Sequence, residues 1–323
     1  MKERTALLAA CALLATLGAS AEPRVFPVAE TASQADLYPD RVTHFPKGVT
    51  GLADVTYSVI PGFRPLVLDL YQPSGDTPRP LILFIHGGGW VGGNTRHSGA
   101  LANFPLAIAE LAAEGFVVAS VEYRLSSEAP FPAALQDVRA ALRYLKENAS
   151  KYRIAPDKVA VWGGSAGGQL AALAAASCGD RTLDAAPATA GTECVQGAVV
   201  WYGVFDFEPV VAARDETPVS RYLGCEGPCP AATVRRASPM SYASADDPPF
   251  LLIHGEQDKT VDVSQSRSFE AALHKAGVHV RSLYIPGVDH SFVGRTPEET
   301  RAATLAATNA TFDFFHTLFG KAP

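Results

Sequence analysis

The chain has 323 residues, of which 47% are hydrophobic and 19% charged, a composition that excludes a fibrous or largely disordered protein. Usual domains have roughly 100–200 residues, so the length predicts one large domain or two small ones. The 27 Lys and Arg residues against 33 Asp and Glu residues give a formal charge of −6, which excludes a nucleic acid as the expected partner. A neutral or weakly charged small molecule fits this charge better.

The first 21 residues have the features of a secretory signal peptide. Lys2 and Arg4 precede an apolar run, Thr5–Leu17, and Ala19-Ser20-Ala21 then offers a cleavage site before Glu22. The run is too short to span a membrane, and no later segment reaches about 18 uninterrupted apolar residues. We therefore expect an exported protein, periplasmic or extracellular, with mature residues 22–323 and no membrane insertion.

The five cysteines fit export. Cys11 ends a short segment that resembles a lipoprotein box, but cleavage there would leave a very short apolar core. The remaining four form an even set in an exported chain, where disulfides persist. Three pairings are possible, and short ring closure favours Cys178–Cys194 and Cys225–Cys229; the alternative is free thiols.

The predicted elements alternate between strands and helices. Residues 55–71 alternate around a turn at 61–64, which predicts an antiparallel hairpin at a sheet edge. Continuous apolar runs, typical of parallel strands buried on both faces, follow at 81–85, 116–121, 159–162, 195–201 and 250–253, with a further strand at 280–285. Helical periodicity appears at 101–114, 132–148, 166–176, 264–276 and 297–319.

This alternation predicts a single wound α/β domain over 22–323, with a mostly parallel central sheet and helices on both faces. The stretch 205–249 breaks the rhythm with many Pro, Gly and Ser residues. We interpret it as a lid-like excursion over the strand ends.

A nucleophile motif lies where the strand at 159–162 meets the next helix. Gly163-Gly164-Ser165-Ala166-Gly167 matches G-x-S-x-G, in which the serine occupies a tight strand-to-helix turn. The glycines allow strand and helix to pass closely, and the helix start leaves N–H groups unpaired beside Ser165. The motif predicts Ser165 as the nucleophile of an acyl transfer.

A glycine-rich loop, His86-Gly87-Gly88-Gly89-Trp90, ends an earlier strand. Its N–H groups are expected to form an oxyanion hole from Gly88 and Gly89, together with Ala166. The glycines at 87, 89 and 92 also match a dinucleotide fingerprint. A polar stretch at 94–98 separates them from the helix, and Glu122 lies beyond the expected distance for the acidic residue, so the oxyanion interpretation is favoured.

An acyl-transfer serine needs a base and an orienting acid, which follow in the order Ser, Asp/Glu, His. Asp258 lies in the loop after the strand at 250–253, and His290 follows the strand at 280–285. Ser165, Asp258 and His290 are therefore the predicted catalytic residues. Glu256 and Asp262 are the nearby competitors of Asp258. A base must be neutral to act, so activity is expected to rise with pH as His290 loses its proton.

Other polar residues near these motifs have simpler interpretations. Asp289 is expected to cap a turn, and His254 to be a packed core histidine. The remaining histidines show no metal-ligand spacing, and the mechanism needs no cofactor.

Together these motifs resemble the α/β-hydrolase esterases of the hormone-sensitive-lipase kind. The resemblance extends through the segments 123–125, 131–135, 237–239 and 248–255 to the secreted bacterial branch called bifunctional feruloyl and acetyl-xylan esterase-like. It covers about residues 50–318. Relatives of this kind usually carry a helical cap before the hairpin, whereas residues 22–51 here are short and rich in Pro, so the cap is expected to be small or absent.

The resemblance implies a serine carboxylesterase that hydrolyses short-chain or aryl acyl esters, including acetyl or feruloyl groups linked to plant polysaccharide. Trp90, Tyr202 and Phe205 lie at predicted strand ends and are candidates for an aromatic wall; the alternative is ordinary packing. Arg124 and Asp137 are expected to form a structural pair. A prolyl-oligopeptidase-like peptidase and an inactive binding scaffold are the alternative functions.

Overall fold

A computed structural model describes residues 41–99, 101–184, 193–213 and 218–320, which lie in one compact unit. The predicted signal peptide at 1–21, and residues 22–40 of the stretch in which a cap was expected to be small or absent, lie outside the described residues.

The described residues form a nine-stranded sheet. Its strands are β1 Arg41–His44, β2 Thr50–Ser58, β3 Leu66–Gln72, β4 Arg79–Ile85, β5 Val117–Val121, β6 Ile154–Gly164, β7 Gly197–Trp201, β8 Phe250–Gly255 and β9 Val280–Ile285. Their order in the sheet is β1-β2-β3-β5-β4-β6-β7-β8-β9. The pairs β1–β2, β2–β3 and β3–β5 are antiparallel, and every pair from β5 to β9 in that order is parallel.

The parallel centre follows from the apolar runs. Every residue of β5, β7 and β8 is buried, as expected for strands covered on both faces. The predicted hairpin is confirmed as β2 and β3, but it does not form the edge of the sheet, because β1 pairs with the outer side of β2. With four residues, β1 is too short to show an alternating pattern.

Helices pack on both faces of the sheet, and the sheet separates the core into two clusters. Helices α1 Phe104–Ala113 and α9 Pro297–Phe319 cover one face, and α2 Ala133–Glu147, α4 Ala166–Ala176 and α8 Ser264–Ala276 cover the other. A short helix, α3 Ala149–Tyr152, precedes β6. No helix of the described ranges has the length and apolar character needed to cross a membrane.

The predicted excursion is largely helical. Its described residues form α5 Glu208–Ala213, α6 Pro218–Leu223, α7 Ala231–Ala237 and a 3-10 turn at Pro239–Tyr242. Tyr222 of α6 is fully buried, stacks on Trp90 with ring centroids 4.5 Å apart, and donates a hydrogen bond to Gln169. The excursion is therefore packed against the ends of the sheet strands.

Two disulfides join the pairs that the sequence favoured. Cys178–Cys194 links the end of α4 to the segment before β7, and Cys225–Cys229 closes a turn between α6 and α7. In both pairs the Cα atoms lie 5.2 Å apart.

Arg124 and Asp137 form the expected structural pair across the junction of β5 and α2. The guanidinium contacts both carboxylate oxygens at 2.8–3.1 Å, and the Arg124 backbone N–H donates to the same carboxylate at 2.8 Å. Only 4% of the Asp137 side chain is exposed, so the carboxylate depends on these donors for its charge.

We expect Asp137→Ala to lower the free energy of unfolding by about 3 kcal/mol, because it leaves the Arg124 guanidinium and N–H without their partner. Urea unfolding followed by circular dichroism measures this change. Asp246→Ala, at an exposed position, is the control and should change stability by less than about 0.5 kcal/mol. An Asp137→Ala protein as stable as the control would contradict a structural role for the pair.

Candidate active site

Ser165 lies at the turn between β6 and α4, with φ 56° and ψ −123°. A non-glycine residue with positive φ is strained, so close packing must hold it there. A Cβ at Gly163 would lie 2.3 Å from the Gly167 carbonyl oxygen, and one at Gly167 would lie 2.1 Å from that of Ile85. Both motif positions must therefore be glycine, because a larger side chain would overlap the backbone. The turn places Ser165 at the edge of the sheet.

The three predicted catalytic residues meet at this edge. His290 Nε2 lies 2.9 Å from Ser165 Oγ, and His290 Nδ1 lies 2.7 Å from Asp258 Oδ2. Nδ1 faces a carboxylate and therefore donates, which leaves Nε2 as the acceptor for the serine hydroxyl. This is the geometry that a nucleophile, a general base and an orienting acid require.

The Asp258 carboxylate is buried and fully hydrogen-bonded. Oδ1 accepts from the backbone N–H groups of Thr260 and Val261, both at 2.8 Å, and Oδ2 lies 3.2 Å from His254 Nε2 as well as near His290. Burial opposes ionisation, but the hydrogen bonds from His254 and His290 outweigh it and hold the pKa of Asp258 well below its usual range. Asp258 is therefore a fixed negative charge beside His290.

The competing acidic residues point elsewhere. Glu256 pairs with Arg267 at 2.9 Å, and Asp262 accepts from the Ser264 N–H at 2.8 Å. Asp289 accepts from the N–H groups of His290 at 2.7 Å and Lys259 at 2.9 Å, which is the expected capping role. The structure brings only Asp258 of these four carboxylates to the His290 ring.

The glycine-rich loop approaches the serine turn from β4. A Cβ at Gly87 would lie 2.8 Å from the Gly164 carbonyl oxygen and 3.3 Å from Ser165 Cβ. Gly88 and Gly89 have φ values of 113° and 60°, so the loop reverses directly beside Ser165. Ala166 begins α4 on the other side. Helix α1 starts only at Phe104, so the loop does not open into a helix as a dinucleotide fingerprint does.

His86 supports this loop from the core. Its ring stacks on Tyr123 at 4.3 Å, and the Tyr123 hydroxyl donates to the His86 carbonyl at 2.9 Å. Burial lowers the pKa of His86 to about 4, so the ring is neutral near pH 7. The loop therefore carries no positive side-chain charge at this point.

A cavity of about 600 Å³ opens on Ser165. Its apolar lining includes Trp90, Val204 shortly after β7, and Pro209, Val210, Pro218 and Val219 of the excursion. Its polar side includes Lys259 and Asp262 of the loop after β8 and Ser264 at the start of α8.

The three aromatic candidates occupy different places. Trp90 lines the cavity and donates its indole N–H to Gln169 at 3.1 Å. Tyr202 packs edge-on against the His290 ring at 4.7 Å, and its pKa is raised to about 12 by burial. Phe205 is fully buried and stacks on Phe269 at 4.4 Å, outside the lining of the cavity. Of the three, only Trp90 lines the cavity, because Tyr202 packs into the core cluster on one face of the sheet and Phe205 into the cluster on the other.

Two polar residues that sequence reasoning missed hold the cavity walls. Gln169, buried inside the Ala-rich helix α4, accepts from Trp90 and Tyr222 and donates to the Ala237 carbonyl at 2.8 Å. Gln265 binds the backbone of Phe205 and Asp206 through three hydrogen bonds. A polar residue within an otherwise apolar helix was the available signal for Gln169.

The fold and these contacts define an α/β hydrolase. A family model described as BD-FAE matches residues 68–273, and the chain belongs to that family. The predicted resemblance is thereby confirmed.

Among curated proteins, the chain is similar to Esterase LipQ of Mycobacterium tuberculosis, with 31% identity over 281 residues, 83% of this chain and 63% of that protein. It is also 34% identical over 218 residues to the same organism's Probable carboxylic ester hydrolase LipM, covering 66% of this chain and 49% of that protein. The chain therefore spans about half to three fifths of the length of these relatives.

Solved structures give the same fold. A truncated form of a carbohydrate esterase from gut microbiota has a TM-score of 0.70 and 28% identity, with 84% of this chain and 96% of that chain covered. Thermogutta terrifontis esterase 2 has a TM-score of 0.69 over 90% of this chain and 98% of its own; at 23% identity this likeness concerns the fold alone.

The lowered pKa of Asp258 predicts a pH-dependent stability. A carboxyl whose pKa is lower in the folded than in the unfolded chain, where it is about 3.9, stabilises the fold above that value. The stability advantage of the native protein over Asp258→Asn should therefore be constant above about pH 5 and shrink as the pH falls below about 4. Urea unfolding of both proteins between pH 3 and pH 7 measures it. An advantage that grew on acidification would contradict the assignment.

Proposed function

We propose that the protein is a serine carboxylesterase. The contact of Ser165 with His290 at 2.9 Å, and of His290 with Asp258 at 2.7 Å, carries this proposal. A cavity that opens on the serine provides room for the acyl group of an ester. Relatives named as esterases and as a carboxylic ester hydrolase support it.

The mechanism follows from these positions. Ser165 Oγ attacks the ester carbonyl carbon while its proton passes to His290 Nε2, and the carbonyl oxygen becomes an oxyanion. The N–H groups of Gly88, Gly89 and Ala166 are proposed to bind this oxyanion. The imidazolium then protonates the departing alkoxide, leaving an acyl-serine. Water attacks the acyl-serine with His290 again as the base, which releases the acid and restores the serine without a cofactor.

The cavity favours short-chain or aryl acyl groups. Its apolar lining consists mostly of Val and Pro side chains, to which Trp90 adds an aromatic ring that is fixed by stacking on Tyr222. The polar side would suit a hydroxylated alcohol such as a sugar. Acetyl or feruloyl esters linked to plant polysaccharide are therefore our proposed substrates, and the BD-FAE match and the carbohydrate esterase neighbour support this choice.

We further propose that residues 22–323 form a single exported domain after removal of residues 1–21. The charged, apolar and small-residue segments of that leader support export. The two disulfides fit an oxidising compartment.

The esterase proposal predicts release of p-nitrophenol from acetate and butyrate esters, with kcat reduced at least about 10⁴-fold in Ser165→Ala. Acetylated xylan and methyl ferulate, assayed in parallel, test the proposed natural substrates. Asp246→Asn, at an exposed position outside the cavity, is a control that should leave kcat within about twofold.

If the folded wild-type protein hydrolysed none of these esters, the esterase proposal would be overturned. Turnover of a prolyl p-nitroanilide instead would favour the peptidase alternative. Failure of an organophosphate to label Ser165 would favour the inactive scaffold.

The Cys225–Cys229 disulfide is expected to affect substrate binding. The Cys225 N–H donates to the Ser220 carbonyl of α6 at 2.9 Å, and Tyr222 of the same helix stacks on Trp90 in the cavity wall. Replacing both cysteines by serine should therefore raise KM about 3- to 10-fold, with a smaller change in kcat. Steady-state kinetics on p-nitrophenyl butyrate measures both.

The matched control replaces Cys178 and Cys194 by serine. This bridge closes a longer loop away from the cavity, so its loss should lower the free energy of unfolding by about 3 kcal/mol with KM unchanged. Equal KM values for the native protein and the Cys225/Cys229 variant would show that this turn does not support the cavity wall.

A further inference from the structure

We propose that His254 is a positioning residue for Asp258, an inference that rests on the proposed esterase function. His254 lies in β8, four residues before Asp258, and both side chains are fully buried. Its Nε2 atom lies 2.9 Å from the Val261 carbonyl oxygen and 3.2 Å from Asp258 Oδ2. The buried His254 ring therefore contacts the Asp258 carboxylate as well as the backbone of Val261.

The neighbours of the ring decide where its protons lie. A carbonyl and a carboxylate oxygen can only accept, so Nε2 must carry a hydrogen that the two oxygens share. Nδ1 lies 2.7 Å from Ser266 Oγ, whose hydroxyl donates to it when the ring is neutral. Both nitrogens thus have partners, and the ring is fixed between α8 and the turn that carries Asp258.

His254 also holds that turn at both ends. The Val261 N–H donates to Asp258 Oδ1 at 2.8 Å, and the Val261 carbonyl accepts from His254. One imidazole therefore contacts the carboxylate and the backbone that binds the other carboxylate oxygen. Without it, the carboxylate would keep its two backbone donors to Oδ1 but lose the buried one of the two imidazoles that contact Oδ2.

The position of Oδ2 matters because His290 Nδ1 donates to the same oxygen at 2.7 Å. Two imidazoles therefore contact Oδ2: the fully buried ring of His254 and the ring of His290, which also contacts Ser165. A displacement of about 1 Å in a reacting group can cost about 100-fold in rate. His254 therefore acts on the reaction through Asp258, and it does not touch the substrate cavity.

The test compares His254→Leu with His254→Gln. Leucine removes the donor, and we expect kcat on p-nitrophenyl acetate to fall about 10- to 100-fold with KM changed less than about twofold. The Gln amide nitrogen reaches the place of Nε2, so His254→Gln should recover most of the lost kcat. In proton NMR, the low-field resonance of the His290 Nδ1 hydrogen should persist in His254→Gln and shift or vanish in His254→Leu.

Gln72→Leu is the matched control for loss of a buried donor. Gln72 is buried and donates to the Tyr152 carbonyl at 2.8 Å, beside the start of β6 and so at the opposite end of that strand from Ser165. This variant should lose stability while keeping kcat and the low-field resonance. A purely structural role for His254 would make His254→Leu behave in the same way, and that result would overturn the proposal.

Ser266→Ala provides the second test if His254→Leu does not fold. It removes the partner of Nδ1 with a small change in volume, and we expect kcat to fall about threefold or more at constant KM. Native kcat in Ser266→Ala would then overturn the proposal. Absence of ester hydrolysis by the wild-type protein would instead refute the proposed function, so the two failures are distinguishable.

Discussion

The strained turn at Ser165 is the constraint on which the site depends. Its positive φ persists because strand β6, helix α4 and the end of β4 approach so closely that a Cβ at Gly163 or Gly167 would overlap a carbonyl oxygen. The same close approach brings Gly87 against the turn. Ser165 and the glycine-rich loop are therefore positioned by one packing arrangement.

The second feature on which the site depends is the buried negative charge of Asp258. Asp258 remains ionised although it is nearly inaccessible to solvent, because backbone N–H groups and two imidazoles satisfy both oxygens. An unpartnered carboxylate at this depth would take up a proton and could no longer stabilise an imidazolium on His290. The electrostatics of the triad are thus a property of the turn after β8 as a whole.

The cavity lies between the Ser165 turn and the excursion, and both contribute to its lining. Trp90 extends from the glycine-rich loop, stacks on Tyr222 and shares Gln169 with it. One wall of the cavity comes from the loop and another from helices α5 and α6, so the shape of the cavity depends on how the excursion packs. The Ser165–His290–Asp258 cluster and the apolar lining of the cavity are therefore built largely from different parts of the chain.

The sequence by itself determined the parallel sheet, the hairpin and the placement of Ser165, Asp258 and His290 at strand ends, because continuous apolar runs and glycine spacing are local signals. It did not predict β1, and although it predicted His254 as a packed core histidine, which the structure confirms, it gave no sign that His254 contacts Asp258. It also could not separate Trp90, which lines the cavity, from Phe205, which stacks on Phe269 in the core. Only the tertiary structure decided these points, since side-chain direction and buried hydrogen bonds depend on residues that are distant in the chain.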